Sequence, residues 1–218
     1  MINRRSVVLG LSNIFCLYGW SAASDTCLNW LPDEDMSKER DFNLSISRKY
    51  PFSFSKQPNN FGWCWAACIE NMLKYHGAVG ITQDEIVSRT YGSPVNRGGN
   101  PSEGISGAWV DKEGNKFEIE TEFVWGADVQ QLATKADKEG VDSFDTIANA
   151  MCANSPLILV YKTSQTSSHA VIIVGVSGFR KNGRINFNKI EVHNPWGLFE
   201  TLSEDNYKKI IYAFKILM

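Results

Sequence analysis

Apolar residues recur along this chain at two spacings, and the change between them marks where helix gives way to sheet. Over residues 64–75 the apolar positions Ala66, Ala67, Ile69, Met72 and Leu73 follow a helical repeat, stopped by Gly77 and Gly80. Thr82-Gln83-Asp84-Glu85 has the order of a capping box, in which threonine and glutamate satisfy each other's backbone N–H groups. A second helix is therefore predicted to reach about Thr90. Residues 91–107, with five glycines and two prolines, read as a long loop.

Downstream the repeat shortens to two. Residues 108–110 and 116–124 flank Asp111-Lys112-Glu113-Gly114-Asn115 and predict a hairpin. Residues 128–136 and 143–152 are helix candidates, and 157–161, 169–176, 185–194 and 207–217 are strand candidates. Helices first and strands later predict an α+β fold, with a helical lobe, an antiparallel sheet lobe and a cleft between them.

The first residues follow another pattern. Arg4 and Arg5 precede an apolar stretch over residues 7–20 and then Ser21-Ala22-Ala23, the order of an export signal. Ser12, Asn13 and Gly19 interrupt that stretch, so no membrane span is expected in the mature chain. Asn3-Arg4-Arg5-Ser6-Val7-Val8-Leu9 also resembles a twin-arginine motif, and the export route stays open. The expected organisation is a signal at 1–23, a polar, irregular extension at 24–50 and the main domain at 51–218, in the periplasm or outside the cell. Removing the signal takes two arginines and no acid, which moves the net charge from −2 to −4. That balance gives no electrostatic reason to expect nucleic acid or an anionic membrane as a partner.

Candidate chemistry centres on Cys64, set between Trp63 and Trp65 at the predicted helix start. Unsatisfied N–H groups and the helix macrodipole favour an anion there and are expected to lower the thiol pKa. Gln57, seven residues earlier, carries an amide able to donate to an oxyanion. His169 opens the apolar run His169-Ala170-Val171-Ile172-Ile173-Val174-Gly175, where a strand holds it at the edge of a cleft. Asn194 ends the strand candidate containing Val192 and His193 and can accept the imidazole N–H, with Trp196 as a cover against water. Alternation puts His193 on the opposite face from Asn194. His76, at a helix end, suits the C-terminal dipole.

The order Gln57, Cys64, His169, Asn194 resembles the papain-like cysteine peptidases. Gly62-Trp63-Cys64-Trp65-Ala66 resembles their nucleophile motif, and Asn194-Pro195-Trp196-Gly197 resembles their asparagine motif in the form that calpains use. The combination of Cys64-Trp65-Ala66-Ala67 with the compact strand opened by His169 is most similar to bacterial papain-fold peptidases of the staphopain and AvrRpt2 type. The resemblance spans roughly residues 57–197 and implies the two-lobed papain-like α+β fold. It implies a secreted thiol peptidase in which the Cys64 thiolate is the nucleophile, His169 as imidazolium holds the ion pair and then protonates the leaving amine, and Asn194 is the orienting residue. Gln57 and the Cys64 N–H would form the oxyanion hole, and Trp63, Trp65, Ser168, Ala170 and Trp196 would meet the substrate. No cofactor or metal is implied; a protein or peptide substrate is, and a protein inhibitor is a further partner. Two departures stand out: the gap from Gln57 to Cys64 is one residue longer than in papain, and bulky Trp63 narrows the cleft.

The same triad geometry also serves amidases, including peptidoglycan-directed ones, and transglutaminase-type acyl transferases, and the scaffold can act as a binding module without catalysis. Cys27, Cys64, Cys68 and Cys152 remain after signal removal. Cys27 could pair with Cys68 or Cys152 in an oxidising compartment, and buried free thiols at Cys68 and Cys152 are equally compatible. Residues 24–56 either inhibit from within the cleft, anchored by Tyr50-Pro51-Phe52-Ser53-Phe54, or wrap the surface with Phe52 and Phe54 in the core. The wrap is the favoured expectation.

Overall fold

The computed structural model describes residues 38–46, 54–59, 62–126, 143–182 and 184–218. In chain order its elements are β1 (Arg40–Ser45), α1 (Cys64–Tyr75), α2 (Gln83–Tyr91), α3 (Pro101–Ile105), β2 (Gly107–Val110) and β3 (Lys116–Gly126). Then come α4 (Ser143–Cys152), β4 (Leu157–Lys162), β5 (Ser168–Lys181), β6 (Arg184–Asn194), β7 (Leu198–Thr201), α5 (Glu204–Tyr207) and β8 (Ile210–Leu217). The strands form one antiparallel sheet in the order β2-β3-β8-β4-β5-β6-β7, and β1 also pairs with β5. The expected α+β arrangement is present.

Helix α1 packs on β5, and that contact positions the site. Ala66 and Ala67 are fully buried and small enough to bring the helix backbone close to its neighbours. Trp65, Ile69, Met72 and Leu73 supply the bulk, each contributing roughly 1.5–3 kcal/mol on burial. On the sheet side, β4 is buried from Leu157 to Tyr161 and β5 from Ala170 to Val176. A strand buried on both faces reads as a continuous apolar run, which is the pattern seen in the sequence.

Local signals did their expected work in α2. The N–H of Glu85 donates to Thr82 Oγ1, and the N–H of Thr82 donates to Glu85 Oε2 at 2.8 Å. Gly92, at φ 79°, ends the helix in the left-handed region that glycine tolerates without a Cβ penalty.

Other segments differ from the sequence reading. The loop at 91–107 contains α3, started by Asn100, whose Oδ1 accepts the Ser102 N–H, and by Pro101 in the first turn. Residues 207–217 split between the end of α5 and strand β8. The extension is not wholly irregular: β1 buries Phe42, and Ile46 just beyond it is buried too, because alternation turns one face of that segment onto the core. The expected helix at 128–136 and the signal at 1–23 lie outside the described residues. Cys152 is disulfide-bonded and Cys68 is a buried free thiol, so the reading with both as free thiols does not hold. Among the described residues no helix is long and apolar enough to cross a membrane.

Candidate active site

Cys64 is the first residue of α1, where the helix leaves its N–H groups without internal acceptors. Trp63 makes no side-chain capping bond. The N–H groups of Cys64, Trp65 and Ala170 reach the Cys64 sulfur. Ala170 is the neighbour of His169, so α1 and β5 meet at the thiol. Burial nevertheless pushes the Cys64 thiol up, and the three N–H groups only oppose it. The expected net lowering by the helix terminus is therefore corrected: taking the thiolate out of water outweighs the N–H groups that favour it.

His169 stands near the start of β5, and its Nε2 lies 3.1 Å from Asn194 Oδ1. Register explains the meeting. Ile172 pairs with His193 across β5 and β6, so the odd-numbered β5 positions share a face with Asn194. Burial pushes His169 down, against upward influences from the Asn194 bond and the Glu200 carboxylate. Tyr161, directly opposite His169 on β4, meets its ring edge-on at 5.8 Å. The phenol is pushed up to about 12 by burial, then by the charges of Glu200 and Cys64.

Asn194 is buried and fully engaged. Its Oδ1 also accepts the Trp196 N–H at 3.1 Å, while its Nδ2 donates to Glu200 Oε1 at 2.7 Å. Trp196 thus acts through its backbone, and its side chain is 46% exposed rather than closed over the His169–Asn194 bond. His193 faces away, stacked on Phe54 with ring centroids 3.5 Å apart. His76 caps the end of α1, where burial pushes its imidazole down and so disfavours the expected cation.

Gln57 is buried, and its N–H donates to the Pro195 carbonyl at 2.9 Å, which ties its segment to the turn after Asn194. The preceding carbonyl, of Lys56, accepts from Gln83 Nε2. That amide also donates to Glu70 Oε2 at 2.8 Å, while Glu70 Oε1 accepts from Ser55 Oγ at 2.6 Å and Lys74 Nζ at 2.7 Å. A nearly buried carboxylate on α1 thus organises the strand of chain that carries Gln57.

A cleft of about 710 Å³ opens at the thiol. Trp65, Ser168 and Ala170 line it; Trp63 and Trp196 do not. Trp63 is buried, and its indole N–H donates to the Val95 carbonyl at 2.9 Å. The Trp65 indole N–H donates to the Arg97 carbonyl, and the Gly62 N–H to Asn96 Oδ1. Both tryptophans thereby fasten the loop that walls the cleft. Tyr212 of β8 secures its far end, donating to Asn100 Oδ1 at 2.8 Å.

Glu200, Glu70 and Gln83 are site residues that motif reading missed. Glu70 and Gln83 carry no motif. Glu200 was accessible in principle, since a short turn after Asn194 sets it two positions beyond that residue's cross-strand partner, Leu198.

The model of the Peptidase_C39 like family matches residues 49–215 of the chain. No curated protein matches it.

Proposed function

We infer the reaction from one premise: the chain belongs to the Peptidase_C39 like family, a family of cysteine peptidases. The proposed activity is hydrolysis of peptide bonds in a protein or peptide substrate by an exported enzyme, through Cys64, His169 and Asn194 with an oxyanion hole at Gln57. The observation that carries this is the sulfur of Cys64 against the Ala170 N–H, beside a His169 whose Nε2 is taken up by Asn194. Nδ1 is the ring nitrogen left for the thiol.

In the proposed sequence the Cys64 thiol gives its proton to His169 Nδ1 as sulfur bonds the scissile carbonyl carbon. The oxyanion accepts from the Cys64 N–H and the Gln57 amide. His169 then protonates the departing amine as the C–N bond breaks, leaving a thioester. Water gives a proton to His169 and adds to that carbonyl; the C–S bond breaks and sulfur regains its proton. Burial disfavours both charged forms and so favours an uncharged resting pair over the expected thiolate–imidazolium pair, with proton transfer accompanying attack in the proposed sequence. Export fits the disulfide at Cys152, since such bonds persist in oxidising compartments.

The test is hydrolysis of casein by wild type and Cys64→Ala across pH. Wild-type kcat/KM should rise as His169 loses its proton, at a limb below 6.5, and fall at a limb above 9.0, where Cys64 ionises and no imidazolium remains to protonate the amine. Cys64→Ala should fold and be inactive; cleavage at the wild-type rate by that variant would sink the mechanism. Release from peptidoglycan, or amine incorporation, in place of casein cleavage would move the reaction to an amidase or acyl transferase.

A further inference from the structure

The Asn194 amide has two ends that differ by a single proton inventory: the oxygen only accepts and the nitrogen only donates. Nothing in an isolated amide decides which end faces His169. Glu200 is one of two neighbours that decide it. Its ionised carboxylate accepts and cannot donate, and it lies 2.7 Å from Nδ2. The Trp196 N–H, 3.1 Å from Oδ1, selects the same orientation. With Oδ1 turned to the imidazole, Nε2 must carry the hydrogen, and Nδ1 is left with its lone pair.

We propose that Glu200 is a positioning residue: its carboxylate fixes the Asn194 amide, and through it the His169 tautomer able to take a proton from Cys64. This rests on the peptidase reading of the same site.

Glu200 acts from outside the cleft. It sits on β7, an edge strand of the described sheet, and is exposed, whereas Asn194 is buried. Register puts Glu200 opposite Val192 and Leu198 opposite Asn194, so Glu200 is a diagonal neighbour of Asn194 on the His169 face. On that face Tyr161 from β4 meets the His169 ring, Asn194 from β6 binds it and the Glu200 charge acts from β7, while the Cys64 sulfur from α1 lies at the N–H of Ala170, the next residue. Burial keeps the Cys64 thiol and the Tyr161 phenol protonated near neutral pH, and Asn194 carries no charge. Glu200 is then the group of these four whose charge favours a protonated imidazole. A charge-assisted bond is also stronger than a neutral one, so the amide is held more firmly than by an uncharged acceptor.

Glu200→Ala and Glu200→Gln separate the two parts of this role, and two readouts separate it from the peptidase reading. One readout is the pH dependence of casein cleavage; the other is the pH dependence of Cys64 alkylation by iodoacetamide, which needs no peptidase activity. Glu200→Ala should lower kcat/KM about ten-fold, slow alkylation at neutral pH and move the acid limb of both profiles to lower pH. Glu200→Gln retains an acceptor without the charge: it should recover most of the rate yet keep the shifted limb. Thermal melting near wild type is expected for both, given the exposed edge position. Should Glu200→Ala melt early, the isosteric Glu200→Gln limb carries the test. Unchanged alkylation and cleavage limbs in both variants would overturn the proposal. A shifted alkylation limb in a protein that cleaves no peptide bond would uphold it and overturn the peptidase reading alone.

Discussion

The indole N–H of Trp65 donates to the carbonyl oxygen of Arg97 at 3.2 Å, so the residue after the thiol anchors the wall of its own cleft. The loop also approaches that indole closely with its backbone. A Cβ built on Gly99 would lie 2.6 Å from Trp65 ring carbons, and one on Gly104 equally near. Only a residue without a side chain lets the backbone pass there.

Gly99→Ala should therefore force the loop off a ring that is itself fully buried and cannot give way. The expected loss is about 1–3 kcal/mol, with KM raised because the displaced loop lines the cleft. Gly98→Ala is the control, since a Cβ there meets nothing within 4 Å. Urea unfolding of both variants checks the first expectation, and KM for casein checks the second. Equal stability of the two variants would remove the packing explanation.

The Glu70 cluster predicts an effect on rate from a residue outside the cleft. Glu70→Ala removes the acceptor shared by Ser55, Lys74 and Gln83, leaving the Gln83 amide with only the Lys56 carbonyl. Lys74 retains some solvent, so the expected cost is about 2 kcal/mol, below that of a fully buried pair. A loosened Gln57 should lower kcat more than it raises KM, because the oxyanion exists only after attack. Stability lost with kcat intact would mean that Gln57 keeps its position without Glu70.

His193 predicts acid sensitivity of the fold. Burial against Phe54 and Phe199 pushes it down to about 4, against an ordinary 6.5 in the unfolded chain. Between those values the unfolded state binds the extra proton, so stability is full above pH 6.5 and declines as pH falls toward 4. His193→Phe should flatten that decline, measured as melting temperature against pH, while cleavage at pH 7 persists because His169 is untouched. An equally steep decline in the variant would assign the acid sensitivity to His76 or His169, whose imidazoles burial also pushes down.

Local chemistry made much of the architecture readable. The capping box at Thr82 and the apolar run after His169 act over a few residues, and each produced the element its pattern predicts. The helix start at Cys64 was legible for the same reason. β1 was not, because the polar residues of 40–45 outnumber the apolar ones and the strand's place depends on pairing with β5 far along the chain. The short helix α3 was hidden by the glycines and prolines around it, although Asn100-Pro101 is a recognisable helix start.

By itself the sequence determined the candidate residue types and their order, since a thiol at a helix start and a histidine at a strand start are set by neighbours in the chain. Only the tertiary structure decided their state. The ionisation tendency of Cys64 follows from how deeply α1 is buried, which reversed the expectation drawn from the helix terminus alone. The roles of Trp63 and Trp65 follow from where the loop at 95–100 returns, which made Trp63 a buried anchor and gave Trp65, still on the cleft wall, an anchoring bond as well. The link from Glu200 to Asn194 to His169 crosses three strands, and a contact of that kind is fixed by register and strand pairing, which no short segment of sequence contains.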